Sequence, residues 1–262
     1  MDSIAGAFRP ILRVAEGSRR LTAIGTSFAI GHGSNRYLVT ADHVLRGLED
    51  KLVGIDEKHS MKWPRQFSRL APTESSLPDA DVAWTLINLS AEAIGTGTPI
   101  PIRQALARAE GGAWNGIFAV GHPASKARLV DAQTAVMSKL MMAQLQVADD
   151  STCVAIGVDH RVHLAFSYTS APHVDIDGKP IVPAAPTGMS GGAIVATTRV
   201  EDSSRSHRMK PYVIGVLTRY YPKYQTFVAT RIEHLWKAVG VVPPIRLLYR
   251  EQSGGYVSAD DV

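Results

Sequence analysis

The run of glycines around Ser190 constrains the backbone more than any other feature of this sequence. It reads Gly188-Met189-Ser190-Gly191-Gly192 and is followed at once by the apolar stretch 193–195. Glycine takes backbone conformations that other residues avoid, so a tight turn here can expose the Ser190 hydroxyl while the amides of Gly188 and Ser190 converge on one point. Such a turn would carry a nucleophilic serine and its oxyanion hole. A glycine-rich turn that only leads into a strand would produce the same string.

Two upstream segments favour the catalytic interpretation. Alternating and β-branched residues flank residues 31–35, which predicts a hairpin with His43 just past the end of its second strand. Asp81 opens a second apolar stretch, residues 82–87. Histidine, carboxylate and serine are the base, the orienting group and the nucleophile of a catalytic triad. Each residue alone is more often structural, so the hypothesis depends on the three together.

These motifs resemble those of the trypsin-like serine peptidases of the chymotrypsin fold. Residues 40–43 (TADH) resemble the family's T-A-x-H, residues 81–83 (DVA) its D-[I/V/L]-A, and residues 188–192 its G-x-S-G-G. Residues 215–218 resemble the strand that lines the primary specificity pocket, and residues 227–232 resemble the closing strand that precedes a short helix. The chain as a whole resembles bacterial stand-alone intracellular members. The resemblance implies an all-β fold of two six-stranded antiparallel β-barrels packed together, with a short C-terminal helix.

The composition agrees with many short strands. The chain has 262 residues, 45% of them hydrophobic, with 22 glycines and 15 prolines, which is enough for two barrels of roughly 100 residues each. We predict a first barrel within 1–110, a second barrel within 111–242 and a C-terminal tail, 243–262. Predicted strands span 26–30, 36–40, 82–87, 116–121, 152–158, 161–168, 192–198, 212–218 and 226–231, and the best helix spans 233–239.

The resemblance also implies a role for each residue of the triad. His43 takes the Ser190 proton as the hydroxyl attacks a peptide carbonyl, and Asp81 holds the imidazole. Asp79 is the rival carboxylate, but the match at 81–83 favours Asp81. Asp42, directly before His43, should point away from it if the segment is extended. The oxyanion hole is expected from the amides of Gly188 and Ser190.

The substrate pocket is implied by positions in the same pattern. Ala184 resembles the pocket floor, and Tyr220 and Phe227 resemble two wall positions that are often glycine in enzymes accepting long side chains. With no carboxylate at the floor and bulk on the walls, a small or medium apolar residue is expected at the substrate's P1 position. Thr218 resembles a position whose hydroxyl contacts the triad aspartate.

Met189 departs from the animal digestive enzymes of the family. Those have an aspartate directly before the nucleophile, and a newly cut α-amino group pairs with it in the interior. This chain has Met189 and no internal I-V-G-G sequence. Because methionine offers no charge for such a pair, activation by this kind of cleavage is not expected.

Location is predicted from features that the sequence lacks. Asp2 and Pro10 interrupt the N-terminal stretch that a secretory signal would need. The single cysteine, Cys153, excludes an intramolecular disulfide, and no window approaches the roughly 18 apolar residues that span a bilayer. Cys153 lies in an apolar strand pattern and is expected to be a buried thiol. We therefore predict a cytoplasmic protein with no membrane association.

No motif predicts a metal or another cofactor. His160 and His163 are three apart, which in a strand places them on opposite faces, so they are not expected to share a metal. The net charge of +4 is scattered along the chain, which argues against nucleic acid as a partner. The expected partners are a protein or peptide substrate and a regulatory protein.

The sequence therefore predicts a serine endopeptidase that works through an acyl-enzyme with a His43, Asp81 and Ser190 triad. The alternative is a catalytically silent or latent binding or scaffold protein on the same fold, because a fold and a motif do not establish activity.

Overall fold

Two antiparallel β-sheets make up most of the computed structural model. It describes residues 2–14, 21–46, 52–55, 60–62, 67–70, 80–87, 99–104, 114–131, 135–168, 173–174, 179–181, 185–201 and 207–240. The boundaries predicted near residues 110 and 242 adjoin ranges outside these residues, and the division into regions stays a prediction.

Eight strands form the first sheet: β1 (Phe8–Val14), β2 (Leu21–His32), β3 (Asn35–Ala41), β4 (Leu52–Ile55), β5 (Ser60–Lys62), β6 (Ser68–Arg69), β7 (Val82–Leu86) and β8 (Ile100–Pro101). Their order is β5-β4-β1-β2-β3-β7-β6, and β8 pairs in parallel with β2. The stretch that contains β5 and β6 pairs at its two ends with opposite edges of the sheet, β4 and β7. Counted as one, it makes six strand positions with β1, β2, β3, β4 and β7.

The strands of the second half are β9 (Gly116–Gly121), β10 (Ala127–Asp131), β11 (Ala135–Ser138), β12 (Met141–Val147), β13 (His163–Ser167), β14 (His173–Val174), β15 (Pro180–Ile181), β16 (Ala193–Glu201), β17 (His207–Tyr221) and β18 (Thr226–Arg231). Six of them close a ring in the order β9-β12-β13-β18-β17-β16 and back to β9. β10 and β11 form a separate hairpin. The predicted pair of six-stranded barrels is confirmed.

The described helices are short: α1 (Asp2–Ala5), α2 (Asp42–Leu45), α3 (Asp150–Ala155) and α4 (Ile232–Ala238), with 3-10 turns at Ile102–Gln104, Ala124–Lys126 and Pro222–Tyr224. α4 confirms the predicted C-terminal helix. It packs against one apolar cluster that both barrels share, with Phe28 and Ile30 from β2, Val120 from β9 and Trp236 from α4 itself. Burial of such side chains stabilises the fold by about 1.5–3 kcal/mol each.

One predicted strand is wrong. Residues 152–158 were expected to be extended, but the chain forms α3 there. The Asp149 carboxylate accepts a hydrogen bond from the Thr152 amide at 2.8 Å, which caps the first turn of the helix. Cys153 is buried as expected, but on a helix, and burial raises the pKa of its thiol. Val154 is 81% exposed, so the apolar pattern did not mark a buried strand.

The other predicted strands coincide with observed ones. β2 is much longer than the predicted 26–30, and β13 begins at His163 rather than at residue 161 because the amides of Val162 and His163 both donate to the Asp159 carbonyl. The hairpin between β2 and β3 turns at Gly33, whose φ of 58° lies in the left-handed region that favours glycine.

Candidate active site

His43 stands where the prediction placed it, directly after the second strand of the hairpin. β3 ends at Ala41 and α2 begins at Asp42, so His43 is the second residue of this single helical turn. Val44 and Leu45 are buried on the inner side of α2, whereas the His43 side chain is 41% exposed. The turn therefore presents an imidazole at the surface from a well-packed base.

Asp81 binds His43 through both of its carboxylate oxygens. Oδ2 lies 2.6 Å from His43 Nδ1, and Oδ1 accepts the His43 backbone amide at 2.9 Å. A carboxylate can only accept, so Nδ1 carries a proton and Nε2 is left as the basic nitrogen. Asp81 is 5% exposed. The predicted rival, Asp79, lies outside the described residues.

Asp81 lies immediately before β7, next to the start of the predicted strand 82–87. Its φ of 39° is in the left-handed region, which aspartate tolerates better than most residues. The segment is held on both sides, because the Asp42 amide donates to the Asp81 carbonyl at 3.1 Å and the Thr230 hydroxyl donates to the Ala80 carbonyl. These contacts connect the carboxylate to α2 and to the second barrel.

Ser190 lies in a turn that only glycine allows. Gly188 and Gly191 have φ values of 90° and 82°, and a Cβ on Gly191 would overlap the Thr26 carbonyl and the Thr40 hydroxyl. The Gly191 amide donates to the Leu217 carbonyl at 2.7 Å, and the Leu217 amide donates to the Gly192 carbonyl at 2.8 Å.

The same turn packs against the strands of the first barrel. The Thr26 amide donates to the Ser190 carbonyl at 2.8 Å, and the Thr40 hydroxyl donates to the Thr26 carbonyl at 2.7 Å. Thr40 is three residues before His43, so Ser190 and His43 approach the same edge of the barrel interface. Among the described residues, the Ser190 hydroxyl has no hydrogen bond to His43. Such bonds are often long in the absence of substrate.

The two predicted oxyanion amides, those of Gly188 and Ser190, donate to no carbonyl of a described residue. The intervening Met189 amide is used differently, since it donates to Pro186 at 2.9 Å. The Thr187 carbonyl accepts the Ala124 amide at 2.7 Å. Because a trans peptide directs its C=O and N–H to opposite sides, this bond turns the Gly188 N–H away from Ala124.

Met189 is 1% exposed and packs in the core of the second barrel, in a cluster with Ile194, Leu217 and Phe227. The residue before Ser190 is therefore an apolar anchor of the turn.

We compared the chain with known proteins. No protein-family model matches it, and no curated protein sequence matches it. Among solved structures, it is similar to the crystal structure of an inactivated protease paralogue of the scabies mite, S-I1. The TM-score is 0.52 at 13% identity, over 91% of this chain and 94% of the other. The chain has the chymotrypsin-like double β-barrel fold. At this identity the likeness shows the fold alone, and the relation to bacterial stand-alone enzymes remains a proposal.

The predicted pocket residues are partly brought together. Tyr220 and Phe227 are cross-strand partners on β17 and β18 with ring centroids 4.9 Å apart. Tyr168, which the sequence did not single out, completes the group at 5.4 Å from Phe227 and 6.2 Å from Tyr220, both edge-on. Burial raises the pKa of both tyrosines. Ala184, the predicted floor, lies outside the described residues.

Thr218 does not make the contact expected of it. Its hydroxyl donates to the Val228 carbonyl at 3.2 Å rather than to Asp81, because Thr218 is at the irregular step of the β17–β18 ladder and faces β18. The threonine that supports the Asp81 segment is Thr230, through Ala80. The sequence signal for this role was a threonine, Thr230, on the predicted closing strand.

Asp42 was predicted to point away from His43 in an extended segment, but the segment forms the helical turn α2, and the Asp42 carboxylate binds two arginines. Its carboxylate accepts Arg46 Nε at 2.9 Å and Arg69 Nε at 2.6 Å. Arg69 lies on β6, which pairs with β7, the strand that follows Asp81. The Asp42 carboxylate thus joins the turn that carries His43 to the strands beside Asp81, a role that the sequence did not reveal.

No group of three or more metal-ligating side chains is found in the described ranges. His160 is exposed and His163 is buried. The helices of the described part are all too short to cross a membrane.

Proposed function

We propose that this protein is a serine endopeptidase that forms an acyl-enzyme on Ser190. The observation that carries the proposal is that Asp81 holds both the ring and the backbone amide of His43. The Ser190 turn lies at the same interface between the barrels, and its Gly188 and Ser190 amides donate to no carbonyl of a described residue. A structural glycine turn would need neither the oriented imidazole nor the free amides.

In the proposed reaction, Ser190 Oγ forms a bond to the substrate carbonyl carbon while its proton passes to His43 Nε2. Asp81 stabilises the resulting imidazolium. The carbonyl oxygen becomes an oxyanion that accepts hydrogen bonds from the Gly188 and Ser190 amides. The C–N bond then breaks, and the leaving amine takes the proton from His43.

Deacylation repeats these steps with water. His43 takes a proton from water as its oxygen attacks the acyl carbon, and returns it to Ser190 Oγ as the ester bond breaks. The products are a carboxylic acid and an amine, and no cofactor enters the balance.

A silent or latent peptidase-fold binding protein is the second candidate. Two observations favour it. The Ser190 hydroxyl makes no hydrogen bond to His43 within the described part of the chain, and the similar solved structure is named as an inactivated protease paralogue. A partner that closes the Ser190 to His43 distance would convert the latent form into the active one. For this reason a regulatory protein belongs to the proposal, as does a cytoplasmic location, which the single cysteine supports.

A fluorophosphonate probe separates the two candidates. The enzyme should become labelled once, at Ser190, and labelling should disappear in Ser190→Ala and His43→Ala. Ser34→Ala, which removes an exposed serine in the β2–β3 turn, is the control and should label normally. Folded protein that takes up no probe would overturn the enzyme assignment and leave the binding function.

A further inference from the structure

We propose that the Thr26 hydroxyl positions the oxyanion hole, so that the hole is formed in the uncut chain. This inference rests on the proposed function and concerns how its site is kept competent. Thr26 lies on β2 in the first barrel, is fully buried, and is remote in sequence from the serine turn.

Thr26 Oγ1 connects two loops of the second barrel. It accepts the His122 amide at 2.8 Å and donates its own proton to the Gly188 carbonyl at 2.9 Å. The direction is settled because a backbone amide can only donate and a carbonyl can only accept. One hydroxyl therefore satisfies two buried backbone groups, and removing it would leave both without a partner.

The two peptide bonds that flank Gly188 are both fixed by their carbonyls. The Thr187 carbonyl accepts the Ala124 amide at 2.7 Å, and the Gly188 carbonyl accepts the Thr26 hydroxyl. Ala124 and His122 belong to the same loop after β9, which Thr26 holds through the His122 amide. The orientation of the Gly188 N–H, one of the two oxyanion donors, thus depends on Thr26 by two routes.

The packing around Gly188 leaves little room for another arrangement. A Cβ on this residue would approach the Ala124 amide nitrogen to 2.7 Å and the His122 carbonyl oxygen to 3.0 Å. The Thr26 amide also holds the carbonyl of Ser190 itself. Thr26 therefore contacts both ends of the Gly188–Ser190 segment, one end through its side chain and the other through its backbone amide.

The residue before Ser190 cannot supply a charge pair for this purpose, because it is Met189. Met189 is buried in the core, where the digestive enzymes that the sequence resembles have an aspartate that pairs with a new N-terminus. The N-terminal segment of the uncut chain is already folded, with α1 and β1 in place and Ile4 and Phe8 buried in the cluster shared by the barrels. Neutral hydrogen bonds from Thr26 replace the pair.

The test compares Thr26→Val, which keeps the shape and loses the hydroxyl, with Thr26→Ser, which keeps the hydroxyl. Thr197→Val is the matched control, since Thr197 is a buried threonine in the middle of β16 that donates to the Gly116 carbonyl at the start of β9. The readouts are the rate of Ser190 labelling by a fluorophosphonate, kcat and KM on a peptide substrate, and the intact mass.

Thr26→Val should lose about 10²- to 10³-fold in kcat and in labelling rate, the size of losing one oxyanion donor, with KM changed far less. Thr26→Ser should stay within about tenfold of the wild type, and Thr197→Val within about threefold. The wild-type protein should react at its full, uncut mass. Equal rates in Thr26→Val and Thr26→Ser, or a requirement for cleavage within residues 1–25, would overturn the inference.

Two further measurements cover the remaining outcomes. Should Thr26→Val fail to fold, Thr26→Cys takes its place, because a thiol is a weak donor of similar size, and it must be slow where Thr26→Ser is fast. Should the wild type take up no probe, the proposed function fails, and hydrogen exchange of residues 186–190 tests Thr26 alone. Faster exchange in Thr26→Val than in Thr26→Ser supports the inference, and equal exchange contradicts it.

Discussion

At the scale of single residues, the contacts of Asp81 and Gly191 fix the orientation of the candidate catalytic side chains. The Asp81 carboxylate contacts both the ring and the backbone amide of His43, so the imidazole cannot rotate without losing a charge-assisted bond. Gly191 leaves no space for a side chain, so Ser190 stays against the first barrel.

Asp81→Asn tests the orienting carboxylate. We expect kcat to fall by about 10⁴-fold with the fold intact, because an amide favours the wrong tautomer of His43. Peptide hydrolysis at saturating substrate measures the loss. Asp159→Asn, in an exposed pair with Arg161, is the control and should leave kcat unchanged. A larger loss in Asp79→Asn than in Asp81→Asn would show that the wrong carboxylate has been assigned.

We propose that the aromatic group of Tyr168, Tyr220 and Phe227 limits the size of the P1 side chain. The Leu217 backbone forms hydrogen bonds with Gly191 and Gly192, directly after Ser190. Tyr220 lies three residues further along β17, a distance of about 10 Å. We expect cleavage after Ala, Val, Ser or Thr, with discrimination of about 1–3 kcal/mol between neighbouring sizes. A positional-scanning peptide library read by mass spectrometry measures the preference.

Tyr220→Ala should open this region and shift the preference toward larger P1 side chains by about tenfold or more. Tyr212→Ala is the control, because Tyr212 lies on the same strand but packs against Trp114. Dominant cleavage after Arg or Lys in the wild type would contradict the assignment of these residues to the pocket.

At the scale of elements, α2 is too short to be stable alone and depends on what it contacts. The buried Asp42 carboxylate binds Arg46 within the turn and Arg69 on β6, so it ties the His43 turn to the sheet that leads from Asp81. Hydrogen bonds of this charged kind contribute about 1.5–3 kcal/mol.

Asp42→Ala should therefore lower the free energy of unfolding by a few kcal/mol and reduce kcat by about tenfold, since His43 loses its support without losing Asp81. Urea unfolding and peptide hydrolysis are the measurements. Asp159→Ala, which breaks an exposed pair, should cost less stability and no activity. Unchanged activity in Asp42→Ala would mean that the turn is held without the two arginines.

At the scale of the whole molecule, stability should depend on pH through His122. This residue follows β9, and its Nδ1 lies 3.2 Å from the Ser138 hydroxyl at the end of β11. Burial, and to a smaller degree the nearby Arg9 charge, lowers the pKa of His122 to about 4. Between pH 6.5 and about 4, His122 is therefore protonated in the unfolded chain but neutral in the folded chain.

Stability from His122 is thus complete above about pH 6.5 and is lost as the pH falls toward 4, by about 3 kcal/mol in total. Urea midpoints at several pH values measure it. His122→Gln should remove this part of the pH dependence, whereas His160→Gln, an exposed histidine, should keep it. The same slope in all three proteins would rule out His122 as the cause.

Much of the fold and the site could be predicted from local patterns. The hairpin before His43, the strand after Asp81 and the glycine turn at Ser190 each follow from a few adjacent residues, because turn chemistry and strand alternation act over short distances. The error at residues 152–158 has the same origin. The pattern there is apolar, but Asp149 caps the first turn and only one face of the segment is buried, which together favour a helix.

The sequence by itself determined which residues can form the site, since glycine at positive φ, a carboxylate before a strand and a histidine after one are local choices. Only the tertiary structure decided what holds them. Thr26 reaches Gly188 across 162 residues of chain, Thr230 reaches Ala80 across 150, and Tyr168 joins Tyr220 and Phe227 from another strand. Such contacts have no periodicity to read, because they arise from the closure and packing of two barrels.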